Sequence, residues 1–296
     1  MGIKRDDSLM IVDGMALLFR AYYATAATGQ FMYNEKGIPT NGVQGFIRHL
    51  LTAAARFNPS HVAVCWDMGS KTFRNDLYRD YKANRPEPPP ELVPQFDMAK
   101  KAVEALNIPN IGRQGYEADD CIGTIAKKVH EQIPVNILTG DKDLLQLLDE
   151  DISVIFLQKG YGNYFVYTRE NFYEEKGIWP QQMIDAKALM GDVGDNYPGV
   201  RGIGEKTALK LVKQYQDIEG ILANLDKLTK GQRTKIEQDL KMLHLSRKLA
   251  AIHCEVPLEF SLENSRLQID GERAVKKFSE MGLKGMERFF ARIYTC

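Results

Sequence analysis

Three apolar runs in the N-terminal half each end on an acidic residue, and this repetition constrains the fold more than any other feature of the chain. "SLMIVDG" ends at Asp13, "HVAVCWD" at Asp67, and "VNILTGDKD" at Asp141 and Asp143. Short β-branched runs separated by helical stretches predict parallel strands of an α/β sheet. The intervening helices are expected at residues 41 to 57, 93 to 106 and 117 to 131. Open parallel sheets bind ligands at the carboxyl ends of their strands. Three strand ends bearing carboxylates should therefore converge on one edge. From about residue 180 the pattern turns mostly helical, with an extended stretch near "HCEVPLEFS". Met183, Ala186 and Met190 fall at helical spacing there and read as core packing.

A chain of 296 residues has core enough for one large or two small domains, and 44% hydrophobic with 26% charged residues predicts a soluble globular class. No segment approaches the roughly 20 uninterrupted apolar residues of a membrane span. The start "MGIKRDDSLMIVDGMALLF" is basic and then apolar, but Asp13 interrupts the run and no small-residue cleavage site closes it. A buried strand is expected there rather than a signal peptide. Cys65, Cys121, Cys254 and Cys296 form no close pair, which argues against a zinc site or a disulfide framework and fits a reducing cytoplasm.

"GYEADDC" places Glu117, Asp119 and Asp120 at a helix start, more acid than capping or dipole complementation needs. Asp141 and Asp143, if extended, point the same way. Asp192 and Asp195 of "MGDVGD", if helical, share a face. With Asp13 and Asp67 these make nine carboxylates. Ionised together in one cleft they would raise one another's pKa values unless cations neutralised them. Oxygen-only donors, with no His or Cys among them, point to hard ions such as Mg²⁺ or Mn²⁺. Two such ions about 4 Å apart serve phosphate-ester hydrolysis. The net charge is zero, yet setting these nine aside leaves 39 basic residues against 30 acidic ones, a surplus suited to a nucleic-acid partner.

Two other segments speak to that partner. Residues 70 to 92, "SKTFRNDLYRDYKANRPEPPPEL", interleave Lys71, Arg74, Arg79, Lys82 and Arg85 with Phe73, Tyr78 and Tyr81 before a stiff proline run. A charged loop is most often a solvated surface, but directly after Asp67 this mix suits phosphates and bases. "GVRGIGEKT" has P-loop spacing from Gly199 to Gly204, but Glu205 stands where a lysine is required and no strand precedes it. Gly199, Gly202 and Gly204 instead predict a tight turn opening the helix "EKTALKLVKQY". That turn offers backbone N–H groups to a nucleic-acid phosphate, flanked by Lys206, Lys210 and Lys213.

"IVDGMALLFRAYY", "KTFRNDLYRDYKANRP", "GYEADD", "TGDKDLLQL" and "LMGDVGDNYPGVRGIGEKTA", in this order, resemble the 5′-nuclease (flap endonuclease) family. The likeness is greatest to the 5′→3′ exonuclease domain at the N-terminus of bacterial DNA polymerase I, and it runs over residues 8 to 285. The sequence ends at Cys296, so a stand-alone form without a polymerase is expected. The resemblance implies a PIN-like (5′-nuclease) α/β fold, with a central mostly parallel sheet flanked by helices. It implies a nuclease domain over residues 1–180, with a helical arch near 70–92. A helical DNA-binding region over 181–296 would hold a helix-hairpin-helix-type module near 187–215.

It also implies metal ligands: Asp13, Asp67, Glu117, Asp119 and Asp120 around a first ion, and Asp141, Asp143, Asp192 and Asp195 around a second, with Asp119 shared. The ions would be Mg²⁺, replaceable by Mn²⁺, with K⁺ bound by carbonyls of the helix-hairpin-helix-type turn. Lys82 and Arg85 would act on the scissile phosphate beside Asp67, Asp119 and Asp141. DNA contacts would come from Arg20, Tyr22, Arg74, Tyr81, Lys82, Arg85, Lys187, Gly202, Gly204, Lys206, Thr207 and Lys210. The implied activity is flap endonuclease and 5′→3′ exonuclease cleavage of DNA by a monomer in the bacterial cytoplasm, near the nucleoid. RNA primer–DNA hybrids are implied substrates, and a separate polymerase or sliding clamp an implied partner. A catalytically weak DNA-binding relative of the same fold is the alternative. A small-molecule phosphatase of the aspartyl-phosphate type is disfavoured, because Met15 stands where a second Asp is needed. An RNA-directed nuclease of the compact α/β class would lack the downstream glycine-rich module.

Overall fold

The computed structural model describes residues 7–29 and 31–294; the basic start of the chain and Cys296 lie outside the described residues. Strand β1 (Leu9–Asp13) runs into α1 (Gly14–Ala26), and α2 (Asn41–Phe57) precedes β2 (His61–Cys65). The short α3 (Phe73–Leu77), α4 (Val93–Ala105), β3 (Asn110–Ile111) and α5 (Ala118–Val129) follow. Then come β4 (Val135–Thr139), a 3₁₀ turn at Asp143–Leu147, β5 (Ile152–Leu157) and β6 (Tyr164–Tyr167). Beyond the sheet the chain is helical: α6 (Arg169–Lys176), α7 (Gln182–Met190), α8 (Glu205–Tyr215), α9 (Ile218–Ala223), α10 (Lys230–Gln238), α11 (Leu240–Ala250), α12 (Gly271–Glu280) and α13 (Met286–Tyr294).

The strands form one sheet in the order β3-β2-β1-β4-β5-β6, parallel except for the antiparallel β6. Asp13 lies level with Cys65 and Val12 with Leu138. The carboxyl ends of β2, β1 and β4 thus sit side by side, as the acid-terminated runs predicted. The period-2 alternation of strand side chains divides the core. Leu9, Ile11, Val135 and Ile137 pack with α5, α7 and α8, whereas Met10, Val12, Val62 and Val64 pack with α1, α2 and α4. Phe278, Leu283, Met286 and Phe289 join the second face, so the C-terminal helices return to the N-terminal elements. Gln95 of α4 pins that helix to α2, since its Oε1 accepts from Val43 N at 3.0 Å and its Nε2 donates to Asn41 Oδ1 at 3.2 Å.

Three local expectations need correction. Asp143 is not extended: β4 stops at Thr139, and Asp141 Oδ1 accepts from Asp143 N at 2.9 Å, which turns the chain into the 3₁₀ segment. Asp192 and Asp195 are not helical either. α7 ends at Met190, Gly191 turns left-handed at φ 72°, and Asp192 and Tyr197 exchange two backbone hydrogen bonds that close a loop. Within 70–92 the helix is limited to Phe73–Leu77, and the rest proceeds through turns to the proline run. The cysteines Cys65, Cys121 and Cys254 are free. Among the described residues no helix is long and apolar enough to cross a membrane.

The turn between α7 and α8 depends on Gly199, at φ 61°. A methyl group there would lie 2.3 Å from Gly191 N and 2.7 Å from Leu189 O. Gly199→Ala combines a left-handed penalty of about 1–2 kcal/mol with backbone overlap that cannot be relieved by a rotamer. Its unfolding free energy in urea should fall by at least about 2 kcal/mol. An unchanged midpoint would show that this turn relaxes without cost.

Candidate active site

The carboxylates gather where the sheet topology brings strand ends together. Asp13 caps α1, its Oδ1 accepting from Ala16 N at 2.9 Å while its Oδ2 accepts from the Thr139 hydroxyl at 2.8 Å. The same hydroxyl accepts from Asp141 N at 2.9 Å, so Thr139 stitches the end of β1 to the turn after β4. Asp67 Oδ1 accepts from Ala118 N at 2.6 Å, tying the end of β2 to the start of α5. Glu117 and Asp119 come from that helix start, and Asp195 N donates to Asp192 Oδ1 at 3.1 Å within the loop after α7.

Burial and mutual repulsion act on this group in the way the charge count requires. Burial, with Asp141 and Asp67 adding to it, pushes Asp13 up to about 7. Asp119 stands well above the carboxylate range through burial and then through Asp141, Asp13 and Glu117. Asp67 is raised by burial against the hydrogen bond from Ala118 N. Asp143 is raised by burial to about 6 even with Lys187 beside it. Asp192 is also buried, but the Lys187 hydrogen bond and charge outweigh that and hold it below its ordinary value.

Basic side chains offset part of the charge. Lys82 Nζ lies 2.6 Å from Glu117 Oε1, Arg85 Nη2 lies 2.6 Å from Asp195 Oδ1, and Lys187 bridges Asp143 and Asp192. Tyr81 donates its hydroxyl to Asp195 Oδ2 at 2.9 Å. Among the described residues no three acidic, His or Cys side chains stand closed around one point. Asp13, Asp67, Asp119 and Asp141, oxygen donors all, nevertheless lie close enough for their charges to act on one another, and among the described residues none of them forms an ion pair with a basic side chain. That donor chemistry fits a hard divalent cation, and the raised Asp13 and Asp119 show what such a cation would relieve.

Asp120 does not belong with this group. Arg74 Nη1 and Nη2 grip its two oxygens at 2.8 Å each, and Glu117 N and His253 N donate to them at 3.0 and 2.9 Å. A carboxylate has about four acceptor sites; all are filled, so Asp120 has none left for a metal. The same pair removes Arg74 from the DNA-contact set, because its guanidinium is buried and also donates to Leu249 O and Ala251 O. Tyr22 lies in the core against Phe31, with no face open to a base. Tyr81 is buried between Glu117 and Asp195, and Lys187 is buried between its two aspartates, so neither faces a DNA surface. Arg20, half-buried, donates to the carbonyls of Gln158 and Gly160 in the β5–β6 turn.

Gly202, Gly204, Lys206 and Lys210 are exposed at the start of α8, with Thr207 beside them. Gly202 O already accepts from Lys235 Nζ at 2.9 Å, a contact from α10 that no sequence pattern announced. Thr139 was likewise missed, because a single polar residue carries no periodic signal. A cleft of about 440 Å³ runs beside Asp67, Glu117, Lys82 and Arg85, with Met15, Phe19 and Phe96 as its apolar wall. The larger cavity, about 710 Å³ beside Trp179 and Arg247, touches none of the nine carboxylates, and the smaller cleft is the one where charge and access coincide.

If Asp120 is structural, Asp120→Asn strands the buried Arg74 charge, and stability should drop by about 3–5 kcal/mol. A Mn²⁺ titration of the folded variant, followed by electron paramagnetic resonance, should still count as many bound ions as the parent. Loss of an ion without loss of stability would return Asp120 to the ligand set.

Comparison with known proteins adds an independent line. Residues 8–177 match the family described as 5′-3′ exonuclease, N-terminal resolvase-like domain, and residues 178–272 match 5′-3′ exonuclease, C-terminal SAM fold. A "5′-3′ exonuclease" of Bacillus subtilis is 56% identical over 288 residues, covering 97% of each chain. The DNA polymerase I of Bacillus caldotenax is 40% identical over 280 residues, 93% of this chain but only 31% of that polymerase. Among solved structures, the T5 5′-exonuclease with bound zinc superposes at TM-score 0.66 and 23% identity, over 97% of this chain and 98% of that one. Flap endonuclease-1 of Methanococcus jannaschii superposes at TM-score 0.62 and 17% identity, over 100% and 95%. These two likenesses establish the shared fold.

Proposed function

The chain belongs to the 5′-3′ exonuclease family of nucleases, and from that premise we propose that it is a structure-specific 5′ nuclease that cuts DNA flaps and trims 5′ ends, RNA primers included, in replication and repair. The observation that carries the reading is the meeting of acidic strand ends, acidic helix start and basic segment at one edge of the sheet. Asp13, Asp67, Glu117 and Asp119 would hold one divalent ion, and Asp141, Asp143, Asp192 and Asp195 a second, Mg²⁺ with Mn²⁺ as substitute. When bound, such ions lower the pKa of water and offset the charge that develops on a phosphodiester.

The remaining roles fall to the chain's own side chains. Lys82 and Arg85, now paired with Glu117 and Asp195, are the cations positioned to turn towards a scissile phosphate and stabilise its developing charge. Met15, Phe19 and Phe96 keep one side of that cleft dry. Some distance along the chain, the N-terminus of α8 with Lys206 and Lys210 would hold the duplex by its phosphates, independent of sequence. K⁺ at the turn before α8 would compete with the Lys235 ammonium on Gly202 O. In this reading residues up to about 180 carry the chemistry and those beyond grip the duplex, as a monomer in the bacterial cytoplasm handing its product to a separate polymerase.

A 5′-labelled flap duplex should lose its intact flap near the junction in Mg²⁺, and in neither EDTA nor a 3′-flap control. Tight binding without cleavage would favour a catalytically weak DNA-binding relative. Asp141→Asn keeps an oxygen for Asp143 N but removes the charge, and should lower single-turnover cleavage by about three orders of magnitude. Lys206→Ala should weaken duplex binding and reduce the salt slope by about one, with the cleavage step of bound substrate unaltered. Equal slopes in parent and variant would refute the duplex-grip role.

A further inference from the structure

Three consecutive carbonyls in the loop carrying Asp192 and Asp195 are each bonded to the basic segment carrying Lys82. Val193 O accepts from Asn84 Nδ2 at 2.8 Å, Gly194 O from Arg85 Nε at 3.3 Å, and Asp195 O from Lys82 N at 3.0 Å. In the return direction, Asn196 Nδ2 donates to Asp80 O at 2.7 Å. Two of these residues occupy left-handed backbone, Lys82 at φ 56° and Asn196 at φ 59°. Asparagine enters that region readily, but lysine seldom does, and a non-glycine residue stays there only when its surroundings hold it.

The contacts are of two kinds. The Lys82–Glu117 and Arg85–Asp195 pairs are the ones a phosphate or a cation would compete for. The amide bonds of Asn84 and Asn196 are neutral, end on backbone carbonyls, and touch none of the carboxylates. They can persist while the ion pairs change partners.

We propose that Asn84 and Asn196 are positioning residues for the nuclease reaction. Together they clasp residues 80–85 to the 192–196 loop, so that Lys82, Arg85, Asp192 and Asp195 keep a fixed register as the ion pairs are exchanged. This rests on the reading of the site as a nuclease centre. Neither amide acts on substrate; each acts through the backbone position of Lys82 and of the loop.

Asn84→Ala and Asn196→Gly test this, the glycine keeping the left-handed backbone accessible while removing the amide. Trypsin supplies a readout independent of activity. The Arg79–Asp80 and Lys82–Ala83 bonds lie in the clasped segment, whereas Arg85 is followed by Pro86 and resists cleavage. In metal-free protein, each variant should be nicked at those two bonds about tenfold faster than the parent, the effect of one lost hydrogen bond on an opening equilibrium. The double variant should exceed the singles by less than the product of their effects, as partners in one clasp do. Single-turnover cleavage of a flap duplex should fall about tenfold, with substrate affinity and thermal midpoint unchanged. Parental nicking rates would overturn the clasp. Faster nicking with parental turnover, or a rate loss that tracks a lower thermal midpoint, would overturn its positioning role. An inactive parent would refute the nuclease reading instead, and the nicking rates would still decide whether the clasp exists.

Discussion

Like charges buried side by side at adjoining strand ends are the constraint to which the rest of this structure responds. A parallel sheet places the ends of β2, β1 and β4 level with one another, and each end carries a carboxylate. Removing such groups from water favours their neutral forms, as the raised Asp13 and Asp119 show. The chain answers by sending cations from distant positions: Lys82 and Arg85 from the segment after β2, and Lys187 from α7. The fold around the site is largely the apparatus that delivers them.

Those cations are of two physical types. Arg74 and Asp120 form a closed arrangement in which every carboxylate acceptor site is occupied by a donor, and neither partner reaches solvent. Nothing is left over to bind anything else. The pairs of Lys82 and Arg85 reach solvent, a quarter of the Lys82 side chain and half of the Arg85 side chain being exposed, so an incoming anion can meet these cations where it cannot meet Arg74. The nearly identical sequence labels, Asp119 beside Asp120 and Arg74 near Arg85, conceal this difference completely.

Three neighbouring strands of the sheet, β2, β1 and β4, were legible because their information is local. Apolar runs marked these strands, and the helices expected over 41–57, 93–106 and 117–131 form over 41–57, 93–105 and 118–129. The convergence of acids was legible too, since topology alone brings strand ends together. What was hidden depended on one-to-one contacts across long sequence separations. The resemblance offered Tyr22 as a DNA contact, but its helix turns that ring into the core. Asp192 and Asp195 were paired by helical spacing, whereas Gly191 ends the helix before them and a two-bond bridge to Tyr197 shapes the loop instead. Arg74 and Tyr81 sat in a segment whose composition suggested a surface, yet each is spent on an internal acid.

The segment after β2 is fastened at both ends inside the protein, at Arg74 through Asp120 and at Gln95 through Asn41 and Val43. Its middle is held as well, by Asn84, Asn196 and the Lys82 amide, so the side chains of Lys82 and Arg85 can leave the carboxylates while their backbone stays in place. In the proposed reaction Lys82 and Arg85 would accordingly act as a locally confined reagent: drawn off their carboxylates by an incoming anion they would neutralise it, and once the anion departs they would need no diffusional search to return.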